Sequence, residues 1–370
     1  LIKILLIFFQ KFILKFNKLH FKRGIIMKSI LIHSAMDLRI EDYPLESISP
    51  NQVEISLAIG GICGTDLHYY KHGGFGEIKL KEPMILGHEV SGYITKIGSN
   101  VNNLKIGQLV SVSPSRPCNN CSYCLEGSQN HCLNMKFYGS AMPFPHIQGA
   151  FRETLIAEDY QCIPADGLTP GEAAMAEPLS VCLHAIKQAG NIFGKKVLIT
   201  GSGPIGTLCV LATRRAGAAE IIVTDISDNA LSYSKLVGAD NIINSITNYN
   251  DLSKFQLEKG YFDVALECSG SESGITDAIR SLKPKGTLIQ LGLGGDISIP
   301  LVTVTTKELN LKGSFRFHSE FKLAVHMMQK KLINVQPLIT HTIPLTDAEK
   351  GFGIALDKNK NSMKVQIAFN

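Results

Sequence analysis

The chain has 370 residues, 45% of them apolar and 19% charged, with 33 glycines and 15 prolines. That length suits two domains rather than one small core, and the composition excludes a disordered, collagen-like or disulfide-stapled protein. The formal charge of +5 comes from residues 1–26, which carry six basic residues and no acid; the rest is near neutral and lacks the basic surface of a nucleic-acid binder.

Residues 1–26 consist largely of Leu, Ile, Phe and Lys, and their longest uncharged run is Ile4 to Gln10. A bilayer span needs about 20 apolar residues, and a signal peptide needs a longer apolar stretch with a small-residue cleavage site. Met27 is therefore read as the true start, with 1–26 a non-native or disordered extension; a basic amphipathic surface helix is the other reading. The body is read as cytoplasmic, with no membrane and no nucleic-acid partner.

From Met27 to about Ala176, short β-like runs such as Val53–Ile59 and Leu109–Val112 alternate with Gly, Pro and Asn turns, predicting an irregular, mostly β region. Pro178 suits a first helical position, and Leu179, Cys182, Ile186 and Ala189 follow at helical spacing before Gly190. Val197–Thr200 then reads as a buried strand, Ile205–Ala216 as a helix and Ile221–Asp225 as a second strand, with later strands at Phe262–Cys268 and Thr287–Gly292. Apolar strands alternating with helices predict an α/β fold with a doubly wound parallel sheet. After Leu311 the pattern becomes irregular.

Gly201-Ser202-Gly203-Pro204-Ile205-Gly206 fits G-x-G-x-x-G between a strand and a helix, the context in which that pattern binds a dinucleotide. Gly201 permits the turn, Gly203 lets the backbone approach a pyrophosphate, and Gly206 lets the helix pack on the sheet; the helix N-terminus then holds the phosphates. Asp225 ends the next strand, where a carboxylate binds ribose hydroxyls, and no Arg or Lys follows before Lys235. NAD is favoured, with NADP the alternative.

Four of the nine cysteines, Cys118, Cys121, Cys124 and Cys132, have the spacing C-x2-C-x2-C-x7-C. Four thiolates close a tetrahedron around Zn²⁺ and leave no open position, so the expected role is structural. An iron–sulfur cluster is the chemical rival, but the ferredoxin-type fourth Cys-Pro is missing. His131 is read as a bystander. Cys63 and His88, with Glu89, hold the remaining ligand chemistry: a thiol, an imidazole and a carboxylate leave a zinc position open for an alcohol.

Gly87-His88-Glu89-x2-Gly92-x5-Gly98-x2-Val101 resembles the zinc signature of the medium-chain alcohol and polyol dehydrogenases, and the resemblance covers about Met27 to Phe369. It implies a GroES-like, β-rich catalytic domain (27–177 and 314–370) and a Rossmann dinucleotide-binding domain (178–313). It also implies one catalytic and one structural zinc, and a homodimer or homotetramer. Cys63 and His88 would ligate the catalytic zinc. Glu177 stands where alcohol dehydrogenases carry a cysteine, and Glu89 is a second carboxylate that exchanges with it; which one binds at rest stays open. Cys182 has at most a minor role there.

Thr65 matches a proton-relay hydroxyl and His68 its terminal imidazole, while Tyr69, Glu177 and Arg316 match substrate contacts. Leu291, Gly292, Leu293 and Phe315, with Pro204 and Ile205, are read as further cofactor contacts. Phe137-Tyr138-Gly139-Ser140-Ala141-Met142, Phe144-Pro145-His146, Gly260-Tyr261-Phe262-Asp263-Val264 and Gly313-Ser314-Phe315-Arg316-Phe317 resemble the branch that oxidises L-idonate to 5-ketogluconate. Sorbitol or xylitol oxidation and L-threonine oxidation are the alternatives. Arg316 alone does not discriminate, because sorbitol-type enzymes share it.

Overall fold

The structure is a computed structural model that describes residues 26–369. Apart from Ile26, the expected extension over 1–26 lies outside the described residues. No helix among them is long and apolar enough to cross a membrane.

Six parallel strands form one sheet in the order Asn241–Asn244, Glu220–Asp225, Lys196–Thr200, Phe262–Glu267, Leu282–Gln290, Asn310–Gly313. Numbered along the chain, that order is 3-2-1-4-5-6, the dinucleotide-binding arrangement, with its switch point between Lys196–Thr200 and Phe262–Glu267. Successive side chains of each strand enter different cores. Val197, Ile199, Val223 and Leu266 pack on one face, and Leu198, Ile222, Ala265 and Leu288 on the other. Burial on both faces is why these strands read as continuous apolar runs.

The second large sheet is mixed. Its path runs Cys162–Pro164, Leu109–Val112, Glu89–Ile97, Gln52–Gly61, Lys364–Ala368, Ile339–Pro344, and Thr154–Glu158 also pairs with Gln52–Gly61. The C-terminal strand thus inserts beside one of the earliest, with Gln366 opposite Gly61, while Glu89 faces Gly61 from the other side. This register brings Lys364 and Glu89 to one spot from sequence positions 275 apart.

Two expectations need correction. The helix bearing Pro178 is Ala176–Ala189, so the proline is its third residue rather than its first. The first turn tolerates it because those N–H groups lack intrahelical partners, and the earlier start places Glu177 within that turn. After Leu311 the chain is not irregular: it forms the helices Glu320–Gln329 and Ala348–Leu356 and the two C-terminal strands. Those strands pair in parallel with each other, and Lys364–Ala368 pairs antiparallel with Gln52–Gly61, contacts invisible to a local pattern.

Candidate active site and metal centres

Cys63 caps the helix Gly64–His72, and His88 and Glu89 stand at the start of the strand Glu89–Ile97. One donor atom from each of Cys63, His88 and Glu89 lies within 4.8 Å of the others. Asp66 holds the two segments together: its buried carboxylate accepts the Cys63 N–H and the Gly87 N–H, both at 3.0 Å. Its Oδ1 lies 3.8 Å from His88 Nδ1, a nitrogen that is buried without a hydrogen-bond partner. The site is crowded enough that a side chain on Gly61 would run into Glu89 Oε2.

Lys364 completes the group. Its Nζ lies 2.8 and 2.7 Å from the two Glu89 oxygens and 3.3 Å from the Ile62 carbonyl, with the lysine 2% and the glutamate 1% exposed. Burial pulls the ammonium pKa down, but Glu89 and Cys63 outweigh it and leave it above its ordinary value. Burial pushes the Cys63 thiol well up, with Glu89 adding to the shift.

Glu177 faces this group but is not among the three close donors. Burial raises its carboxyl to about 7, opposed first by His88 and reinforced by Glu89. Arg316 is within electrostatic reach of Glu177 and Tyr69, and burial lowers its guanidinium to about 10. The guanidinium lies over Phe137 at 4.1 Å and Phe315 at 4.9 Å, with Met142 Sδ at 3.6 Å. Phe137 also packs on the His88 ring, 5.6 Å between centroids. Tyr69 is buried, and its hydroxyl accepts the Ala141 N–H at 3.0 Å, which leaves its proton free to donate. Thr65 is half-buried and His68 exposed on the same helix. Partial burial, then His72 and Lys71, lower the His68 pKa below 6.5. Cys182 points elsewhere, its thiol donating to the Ile205 carbonyl at 3.4 Å.

The glycine loop opens on a cleft of about 410 Å³ lined by Gly201, Gly203, Asp225, Ser227, Asn229 and Ser269 among others. Gly201 has φ +89°, and a Cβ on Gly206 would strike the Gly201 carbonyl. Nothing lies within 4 Å of a Cβ built on Gly203, so the backbone there is open to a ligand. Asp225 accepts N–H groups from Ser202 at 2.6 Å and Ser227 at 2.9 Å. Among the described residues, the cleft lining holds no Lys or Arg, and Lys235 is turned to the Asp240 carbonyl. Pro204 opens the helix Pro204–Arg215, and Ile205 packs against the core beneath it. Leu291, Gly292, Leu293 and Phe315 are not part of this cleft lining: Leu291 and Gly292 donate to the Glu267 carbonyl, and Leu293 is exposed.

The sulfurs of Cys118, Cys121, Cys124 and Cys132 also fall within 4.8 Å of one another. The Cys118 N–H donates to Cys132 Sγ at 3.1 Å and the Asn134 N–H to the same sulfur at 3.3 Å. The Asn120 N–H pulls the Cys118 thiol down to about 6, whereas burial pushes Cys124 up to about 12. All nine cysteines are free thiols.

The profile of the alcohol dehydrogenase GroES-like domain matches residues 49–170, and that of the zinc-binding dehydrogenases matches 204–330. L-idonate 5-dehydrogenase (NAD(P)(+)) of Escherichia coli strain K12 is 43% identical over 321 residues, covering 86% of this chain and 92% of that protein. The chain belongs to the zinc-binding medium-chain alcohol dehydrogenase family. Sorbitol dehydrogenase of Bos taurus is 38% identical over 344 residues, covering 92% and 95%. The crystal structure of the Escherichia coli L-idonate 5-dehydrogenase superposes with a TM-score of 0.89 at 39% identity, covering 93% of this chain and 98% of that one.

As a zinc-binding, NAD(P)-using dehydrogenase, the chain has donor sets that fit its metals. The cysteine lobe offers four sulfurs for a closed site. The Cys63, His88 and Glu89 group offers three mixed donors and so leaves a position free. His88 Nδ1 is turned to the buried Asp66 carboxylate at 3.8 Å, which leaves the other ring nitrogen for a cation shared with Cys63 and Glu89. The sequence assigned no site role to Lys364, Asp66 or Phe137. Asp66, three residues after Cys63, carries the signal of an acidic third helical position. Lys364 gives only a weak one, a single charge opening the otherwise uncharged strand Lys364–Ala368.

Proposed function

We propose that the chain oxidises L-idonate reversibly to 5-ketogluconate, with NAD preferred over NADP. Arg316 is compatible with it: a half-buried guanidinium over Phe137 that, among the described residues, forms no ion pair with a protein carboxylate, although sorbitol-type enzymes share this arginine. A sugar acid offers this guanidinium a carboxylate in the bidentate form that arginine favours. The observation that carries this reading is the 43% identity to L-idonate 5-dehydrogenase over 321 residues. Sorbitol-type oxidation is the second reading, favoured by the 38% identity to sorbitol dehydrogenase.

In this reading Cys63 and His88 hold the catalytic zinc with Glu89, and Glu177 exchanges with Glu89 or meets the substrate. Zinc bound there supplies Lewis acidity to the reacting hydroxyl, and the nicotinamide supplies the hydride acceptor. Tyr69 donates to a sugar hydroxyl, and Arg316 orients the acid end. Thr65 passes the released proton to His68, which is exposed to solvent and, with its pKa lowered, neutral at pH 7 and able to accept it. Asp225, in a cleft without cations, favours the ribose hydroxyls of NAD over a 2′-phosphate. Gly201, Gly203 and Gly206, with Pro204 and Ile205, seat the pyrophosphate, and Leu291 to Leu293 with Phe315 approach the nicotinamide half. We place the protein in the cytoplasm as a homo-oligomer; the exposed edge strand Asn310–Gly313 with exposed Leu301, Val302 and Leu311 supports pairing there.

A steady-state panel of L-idonate, sorbitol, xylitol and L-threonine with both cofactors tests the substrate. The expected result is a kcat/KM for idonate at least ~10-fold above every other substrate, the worth of one charge-assisted contact. A preference for a neutral polyol or for threonine overturns the assignment.

A further inference from the structure

We infer that the cysteine lobe reaches into the active site, and that Asn130 is a positioning residue which, with His131, sets the conformation of Arg316. This rests on the reading of Arg316 as the substrate-binding arginine.

Gln129–His131 is a short helical turn between Cys124 and Cys132, and its residues face the segment after the parallel sheet. The Asn130 side chain is buried, and its Nδ2 donates to the Phe315 carbonyl at 3.0 Å, across 185 positions. The neighbouring His131 ring stacks on the Phe315 ring, with centroids 5.9 Å apart and planes inclined by 28°. Four sulfurs already complete the lobe's donor set, so His131 is free for this contact.

The consequence falls on the next residue. The Phe315 carbonyl and the Arg316 nitrogen share one planar peptide unit, so anchoring the oxygen fixes the plane from which Arg316 departs. Arg316 leaves it at φ +54°, in the left-handed region that non-glycine residues enter sparingly and hold only when their surroundings impose it. Upstream, the Ser314 N–H donates to the Gln290 carbonyl at 2.9 Å and ties the segment to the parallel sheet. Downstream, Phe317 is buried against Phe321. Asn130 supplies the third restraint, and together they aim the guanidinium between Phe137 and Phe315, toward Glu177. Phe315 remains 40% exposed, so the contacts from the lobe bury little apolar surface; what they provide is direction. Metal bound to the lobe would therefore govern substrate affinity as well as local stability.

The test is a double-mutant cycle on the zinc-loaded full chain, with idonate as varied substrate and the cofactor saturating. Asn130→Ala is expected to raise KM about tenfold with kcat within about twofold, as for an interaction made equally in the bound and transition states. Arg316→Met is expected to raise KM at least as much. In the Arg316→Met background Asn130→Ala then adds less than about twofold, because the residue it positions is gone. His131→Ala keeps the hydrogen bond and loses the stack, and should raise KM about threefold, again only when Arg316 is present. It carries the test if Asn130→Ala fails to fold. Zinc content and the thermal midpoint check that each variant retains its lobe. Effects that multiply, or an unchanged KM in both Asn130→Ala and His131→Ala while Arg316→Met raises it, overturn the inference alone. An unchanged KM in Arg316→Met instead removes Arg316 from the substrate site and the inference with it.

Discussion

Replacing Cys63 by serine is expected to leave one zinc per chain where the wild type holds two, and to lower kcat/KM about 10³-fold or more. Among the described residues, the sulfur is one of three close donors at the proposed catalytic site, whereas the cysteine lobe has four of its own. Burial and Glu89 push the Cys63 thiol well above its ordinary value, and a cation bound there would favour its thiolate. A serine hydroxyl is a far poorer ligand, yet it suits the N-cap position that Cys63 occupies, so the helix Gly64–His72 should survive. Metal analysis and steady-state rates on the same preparation check the result. Full activity in Cys63→Ser would remove this group from the chemistry.

Lys364→Met is expected to destabilise the metal-free protein by roughly 3–5 kcal/mol, because it leaves a buried carboxylate without its counter-ion. Both Glu89 oxygens bind Nζ, and Cys63 and Glu177 stand within electrostatic reach. Against a whole-domain stability of about 5–15 kcal/mol, that is a large share. Zinc in the neighbouring donor set supplies positive charge of its own, so the loss should be smaller in the loaded protein. Denaturant unfolding with and without zinc measures the difference. An equal loss in both states would mean that Lys364 serves packing rather than charge. Lys364→Arg should recover part of the stability, since the guanidinium also offers paired donors to a carboxylate.

Where chemistry depended on local spacing, the sequence was readable. Gly201 to Gly206 sits between a strand and a helix as expected, and the four cysteines of one short segment converge. Cys63 and His88 come together although 25 positions apart, a meeting suggested by residue type and resemblance rather than by any local pattern. Partners supplied by distant pairing were not readable. Lys364 reaches Glu89 only because the last strand inserts beside Gln52–Gly61, and Asn130 reaches Phe315 across the fold. Likewise, the C-terminal strands looked irregular because each depends on a strand elsewhere. Glu177 illustrates the intermediate case: its presence was legible, while its place beside the three donors rather than among them came from the helix starting at Ala176.

The most direct test titrates the wild-type protein with a chelator while following zinc per chain and the idonate-dependent reduction of NAD. A site with an open position should release its metal before a closed four-sulfur site. The prediction is that activity falls in step with the first zinc lost, while the second stays bound, and that added zinc restores it. Undiminished reduction of NAD after both metals have gone would contradict it.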